Sequence, residues 1–304
     1  MRASRPDEPG TCTDLTAAGG RIFNPGRQQY SMKSVWPGGA RCAACFTFDL
    51  DAEYVFLGTN PEVAKMPRVL SQGDYVWRAG VIPRILDLLD EHGIKATFFV
   101  VAMNAVNHPE EVAEIVKRGH DIGTHGWIHE KIEHLGKPEE TERLLKCVQA
   151  IQDATGYRPV GNRTAGGELS PNTLNILAEN GFIYDSSLRG SDLPYTMPNG
   201  LVEVPSYYEM DDFHLFADYP FGNYKARMAS PETGYQIWTN AFDGYYRYGL
   251  CWTSMFHPQI IGKPGNMMLL DRTIRYMKRH EDVWFASAEQ VARHWLKRGQ
   301  SSKV

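Results

Sequence analysis

From about residue 41 onward, short apolar runs alternate with amphipathic stretches, and this alternation restricts the chain to a parallel α/β architecture. Residues 43–50 and 96–101 read as buried strands, and between them 81–91 carries Ile82, Ile85, Leu86 and Leu89 at helical spacing. The pattern continues with a helix over 110–117 closed by Gly119, a short strand at 121–124 and a helix over 139–154 closed by Gly156. Ser170-Pro171 offers an N-cap with proline at the first helical position, and Ser287 with Gln290 forms a capping box for the last helix. A chain of 304 residues fits one α/β barrel with additions: a Gly-, Pro- and Ser-rich extended arm over 1–40, a catalytic domain over 41–298 and a tail over 299–304. The alternation fails between about 190 and 240, where Tyr195, Tyr207, Tyr208, Phe213, Phe216, Tyr219, Phe221 and Tyr224 crowd together. Such density serves as core packing, its commoner use, or as the wall of an apolar substrate pocket.

Composition narrows the partners. Lys plus Arg number 32 against 36 for Asp plus Glu, so no basic surface advertises nucleic acid or anionic lipid, and a small or neutral molecule is the expected partner. The longest largely apolar run, 96–103, is too short to span a bilayer, and the amino terminus lacks the apolar stretch of a secretory signal; the expected location is the cytoplasm, away from membranes. Five cysteines scattered at Cys12, Cys42, Cys45, Cys147 and Cys251 make poor material for a disulfide framework. Cys42 and Cys45 form a CxxC, but positions i and i+3 of a strand face opposite sides and no second pair completes a zinc site, so a structural role is expected.

Chemistry concentrates at four predicted strand ends. In Phe46-Thr47-Phe48-Asp49-Leu50-Asp51 the side chains alternate, which sets Asp49 and Asp51 on one face with Thr47. Two carboxylates crowded at the end of a buried strand cost desolvation and repulsion unless a cation or a reaction uses them; the alternative is an acidic, solvated turn continuing into Glu53. Gly123-Thr124-His125-Gly126-Trp127-Ile128-His129 places two imidazoles at i and i+4, on one face of a helical turn and within reach of one metal ion. One carboxylate and two imidazoles leave coordination positions open on a divalent ion, with a second carboxylate available as base. Asn162-Arg163-Thr164-Ala165-Gly166-Gly167 adds a guanidinium that can hold a carboxylate ionised, or that lies on the surface of a glycine turn. Phe256-His257-Pro258 adds an imidazole, either a general acid or a satisfied core histidine.

With the motifs FDLD, HGWIH, RTAGG and FHP in this order, the chain resembles the polysaccharide deacetylases of carbohydrate esterase family 4, over most of residues 41–298. The resemblance implies a NodB-type fold, a distorted (β/α)7-type barrel. The acids are separated by Leu50, where the family usually has adjacent acids, and this spaced pair resembles the cytoplasmic peptidoglycan-deacetylase-like branch that groups with cyclic imidases and allantoinases. By this resemblance Asp51, His125 and His129 bind a divalent metal, Asp49 is the base, Arg163 orients Asp49, and His257 protonates the leaving nitrogen. Zinc suits such a set best, without excluding iron, cobalt or manganese. Ala165 stands where the family has proline, and Asp211, Asp212 and Asp218 compete for its Asp/Trp motif. Trp127, Tyr195 and Phe213 are candidate substrate contacts, and small members of this branch resemble tetramers. The implied activity is metal-dependent hydrolysis of an amide C–N bond, in an N-acetylated sugar or related small amide, or else in a cyclic imide or ureide. A non-catalytic ligand-binding protein on the same fold is the remaining class.

Overall fold

A computed structural model describes residues 34–217 and 228–301. Its strands are β1 Cys42–Cys45, β2 Thr47–Leu50, β3 Thr97–Val100, β4 Asp121–Thr124, β5 Gly161–Asn162, β6 Tyr184–Asp185, β7 Tyr195–Thr196, β8 Val202–Glu203, β9 Cys251–Thr253 and β10 Val283–Phe285. They form a 3-stranded sheet in the order β10-β1-β9 and a 7-stranded sheet in the order β2-β3-β4-β5-β6-β8-β7. Within these sheets the pairing is parallel except between β7 and β8. With helices packed outside, this is the distorted α/β barrel that the sequence implied.

The run expected as one strand over 43–50 is two. The chain leaves the smaller sheet after Cys45 and joins the larger one at Thr47, because Ser254 inserts between them: its N–H donates to the Cys45 carbonyl at 2.9 Å and its hydroxyl receives the Thr47 N–H at 2.8 Å. An isolated parallel bridge between Phe48 and Phe256 then ties the sheets together. Alternation holds on each side of the break. Phe48 stacks on Phe98 with ring centroids 4.8 Å apart, while Asp49 faces inward with Thr47.

The helix at Val81–Glu91 has the predicted bounds and buries Val81, Ile82, Ile85, Leu86 and Leu89. The helix at Lys137–Thr155 ends on Gly156, whose φ of 72° is the left-handed conformation that glycine adopts at no steric cost. Ser287 and Gln290 cap Ala288–Ser301 reciprocally, at 3.0 and 3.2 Å, as expected. The Ser170-Pro171 signal lies slightly early: the helix runs Thr173–Glu179, and the Ser170 hydroxyl instead accepts the Asn172 N–H at 3.0 Å. Trp36, assigned from sequence to the arm, belongs to the core. It is 4% exposed and packs beside Trp284 and Trp295, because an indole removed from water outweighs the chain entropy of fixing its short segment. At the other end, Ala288–Ser301 carries helix past residue 298. Cys42 and Cys45 are free, buried thiols in two different apolar clusters, as strand alternation requires.

Candidate active site

The carboxyl ends of the parallel strands open on one side, and residues following β2, β4, β5, β6 and β9 line a cavity of about 260 Å³ there. Asp49, in β2, is 2% exposed. Arg163, just past β5, donates from Nη1 to Asp49 Oδ1 at 2.6 Å and to Thr47 Oγ1 at 2.8 Å. Its Nε donates to the Ser186 carbonyl at 3.1 Å, its Nη2 to Ser186 Oγ at 2.9 Å, and its plane lies 4.3 Å over the Phe99 ring. Burial alone would raise the Asp49 carboxyl, but the Arg163 charge, the nearby imidazoles and the direct hydrogen bond hold it below the ordinary aspartate value.

Asp51 is fully buried, and neither of its oxygens has a hydrogen-bond donor. His125 Nε2 lies 3.4 Å and His129 Nε2 3.8 Å from it. Each of the three residues offers a ligand atom within 4.8 Å of the others. His125 Nδ1 sits 2.7 Å from the Arg163 carbonyl, which can only accept, so Nδ1 carries the proton and Nε2 turns a lone pair into the cavity. A buried carboxylate lacking every donor, faced by an imidazole lone pair, fits a divalent cation and fits little else.

The two histidines converge without a helical turn, contrary to the sequence reading. Residues 125–130 form an irregular loop in which Gly126 has φ 78° and His129 itself φ 63°. Glu130 folds it by accepting the N–H groups of Trp127 and Ile128, at 3.3 and 2.7 Å. Gly58 supports it from the opposite side: a Cβ added there would stand 2.1 Å from the Ile128 carbonyl oxygen, so only glycine permits this backbone contact.

His257, past β9, bonds through Nδ1 to Asp212 at 2.7 Å, with Asp211 3.6 Å away, and turns Nε2 toward Asp51 at 3.7 Å. Burial opposes its protonation, but Asp212, the hydrogen bond to it, and Asp211 raise the imidazole to about 10. Burial lifts the Asp212 carboxyl to about 6, so near neutrality the two form an ion pair. Of the three aspartates that competed for this place, Asp212 makes the direct bond, Asp211 caps the next helix by accepting the Phe213 N–H at 2.7 Å, and Asp218 lies outside the described residues.

Behind the cavity, Asp185 and Glu203 are fully buried side by side, and burial raises both. Asp185 accepts from Asn162 at 2.7 Å and from the Ser187 N–H at 3.0 Å, and Glu203 accepts the Leu188 N–H at 2.9 Å. These bonds brace residues 186–188, of which Ser186 holds Arg163.

Asp49, Asp51, His125, His129, Arg163, His257 and Phe213 therefore share one cavity. Two predicted contacts do not line it. Trp127 lies under Lys146, 3.8 Å from its ring centre, and Tyr195 packs in an apolar cluster with Phe182 and Leu201, since both rings find apolar or cationic cover elsewhere. Tyr219, Phe221 and Tyr224 lie outside the described residues. Tyr208, from the aromatic crowd offered as core or pocket wall, also lines the cavity, and the sequence reading missed Ser186, Arg189 and His214, which line it too. The serines directly after β6, Ser186-Ser187, were the available signal for the first of these.

A family model described as Polysaccharide deacetylase matches residues 67–184. A curated peptidoglycan deacetylase of Helicobacter pylori is 28% identical over 285 residues, covering 84% of this chain and 96% of that protein. The crystal structure of a Mycobacterium smegmatis protein assigned as a polysaccharide deacetylase is 34% identical, covers 88% of this chain and 93% of its own, and superposes with a TM-score of 0.83. PuuE allantoinase is 28% identical over 87% of this chain and 94% of its own, with a TM-score of 0.73. The chain belongs to the polysaccharide deacetylase family, hydrolases that cleave C–N amide bonds.

Proposed function

We propose that the protein is a metal-dependent N-deacetylase of an N-acetylated sugar or a closely related small amide. The observation that carries this reading is Asp51: a buried carboxylate with no donor, set between two imidazoles and next to a second carboxylate that has its own cation. Asp51, His125 and His129 would hold the ion, and two imidazoles with one carboxylate suit zinc best. Such an ion supplies Lewis-acid polarisation of an acyl carbonyl and lowers the pKa of water. Asp49, kept ionised by Arg163, takes the proton from the attacking water. His257, charged against Asp212, delivers a proton from Nε2 to the departing nitrogen. Thr47 and Ser186 hold the Arg163 plane so that its Nη1 stays on Asp49.

The same residues would open a cyclic imide or ureide, and the similarity to PuuE allantoinase favours this as the second reading. In the deciding experiment, metal-loaded protein is offered N-acetylglucosamine oligomers and a panel of cyclic imides and ureides. Turnover confined to the imides and ureides would replace the deacetylase reading. The role assignment is tested separately: Asp49→Asn should lose turnover and keep bound metal near stoichiometric, whereas His125→Ala should lose metal, and the reverse pattern would refute it. A cytoplasmic location is carried from the sequence patterning and a homotetramer from the family resemblance; no helix among the described residues is long and apolar enough to cross a membrane. Fractionation and solution mass measurement test these two points.

A further inference from the structure

The catalytic cavity contains a second guanidinium that the proposed mechanism leaves unused. Arg189 lines the cavity and stacks 3.9 Å over the ring of Tyr208. Its Nε is buried and has no hydrogen-bond partner. The cavity's carboxylates are engaged elsewhere: Asp49 with Arg163, Asp51 among the imidazoles, and Asp211 with His214 at 2.7 Å. Arg189 is itself half-buried, and a guanidinium whose Nε–H is buried and unpaired is costly unless an acceptor arrives to meet it.

Its presentation is rigid. Arg189 follows the braced run 186–188, where the Leu188 N–H is held by buried Glu203 and Ser187 Oγ accepts the Thr164 N–H at 2.9 Å. The Tyr207 hydroxyl donates to the Arg189 carbonyl at 3.4 Å, and stacking on Tyr208 fixes the plane of the fork. A planar fork with a free Nε edge matches a carboxylate by two parallel hydrogen bonds.

We propose that Arg189 is the anion reader of this cavity, and that the preferred substrate is an amide bearing a carboxylate, whose acid group docks on Arg189 while its acyl group reaches Asp49 and Asp51. A carboxylate fits better than a phosphate, because its two in-plane oxygens match the planar guanidinium edge. The inference rests on the amide-hydrolase reading of the site.

The test uses metal-loaded full-length protein and two matched pairs of probes: succinamate against succinamide, and N-acetylglucosaminuronate against N-acetylglucosamine. Binding is read by calorimetry and hydrolysis by release of ammonia from the succinyl amides or of the sugar amine and acetate from the N-acetyl sugars. The carboxylate member of at least one pair should bind about tenfold to a hundredfold more tightly to the wild type. Arg189→Met should abolish that ratio and Arg189→Lys should keep part of it, with thermal unfolding and bound metal as checks on the fold. Equal binding within both pairs overturns the proposal. So does a preference that survives Arg189→Met, since the ion would then be the anion's ligand. A preference that depends on Arg189, without hydrolysis of any amide, keeps the anion site and refutes the amide-hydrolase reading.

Discussion

Arg163 and Arg189 line the same cavity, yet one is committed to the protein and the other is not. Arg163, 2% exposed, donates to Thr47, Asp49 and Ser186 and makes a buried ion pair. Arg189 has an aromatic face beneath it and an unpaired Nε. Residue type therefore says little about role; what matters is how many donors of the side chain the folded protein already satisfies. The floor of the cavity is a closed network that holds charges in place, and the wall carrying Arg189 leaves capacity for a ligand.

That contrast breaks most visibly at Arg163. Arg163→Met strands Asp49 in the interior and should cost about 3–5 kcal/mol of stability, read by denaturant unfolding, together with turnover. A loss near zero would mean that Asp49 finds another partner and that the floor is not a closed network.

A related contrast lies along β4, with a histidine at each end. His125 at the carboxyl end faces the cavity, whereas His120 at the amino end is buried and accepts the Ala96 N–H at 3.1 Å through Nδ1, which requires a neutral ring. Burial, with Lys95 nearby, lowers His120 from 6.5 to about 4. Because the folded value lies below the unfolded one, the unfolded chain takes up the proton first as pH falls. Stability is intact above pH 6.5 and declines toward pH 4, by about 3 kcal/mol for this group. His120→Gln, which can still accept that N–H, should flatten the corresponding part of a stability–pH profile. An unchanged slope would show that the ring titrates alike in the folded and unfolded chains.

Asp212→Asn removes the charge that holds His257 protonated, and kcat should fall about a hundredfold with metal content preserved. Loss of metal instead would move His257 and its partner into the ligand set. The smallest expected effect sharpens the opening comparison: Arg189→Met should change unfolding free energy by less than about 1 kcal/mol, against the several expected at Arg163. Equal losses at the two arginines would mean that Arg189 is structural.

Much of this was legible in one dimension. Strand alternation put Asp49 and Asp51 on one face, separated Cys42 from Cys45, and the helix at Val81–Glu91 has its predicted bounds. These features depend on periods of two and of 3.6, which neighbouring residues enforce alone. Less legible were the break at Phe46, set by Ser254 some two hundred residues away, and the path from His125 to His129, set by Glu130 and by the contact with Gly58. Aromatic crowding did not separate Phe213, which lines the cavity, from Tyr195, which packs in the core.

The sequence by itself determined the α/β alternation, the ordered motifs and the chemical inventory of acids, imidazoles and guanidinium, because local periodicity and residue chemistry need no partner. Only the tertiary structure decided which aspartate has a cation and which has no donor, which acid pairs with His257, and which arginine is left open. Those outcomes depend on burial and on hydrogen-bond partners distant in sequence, and desolvation makes each buried polar group's partner, or lack of one, decisive.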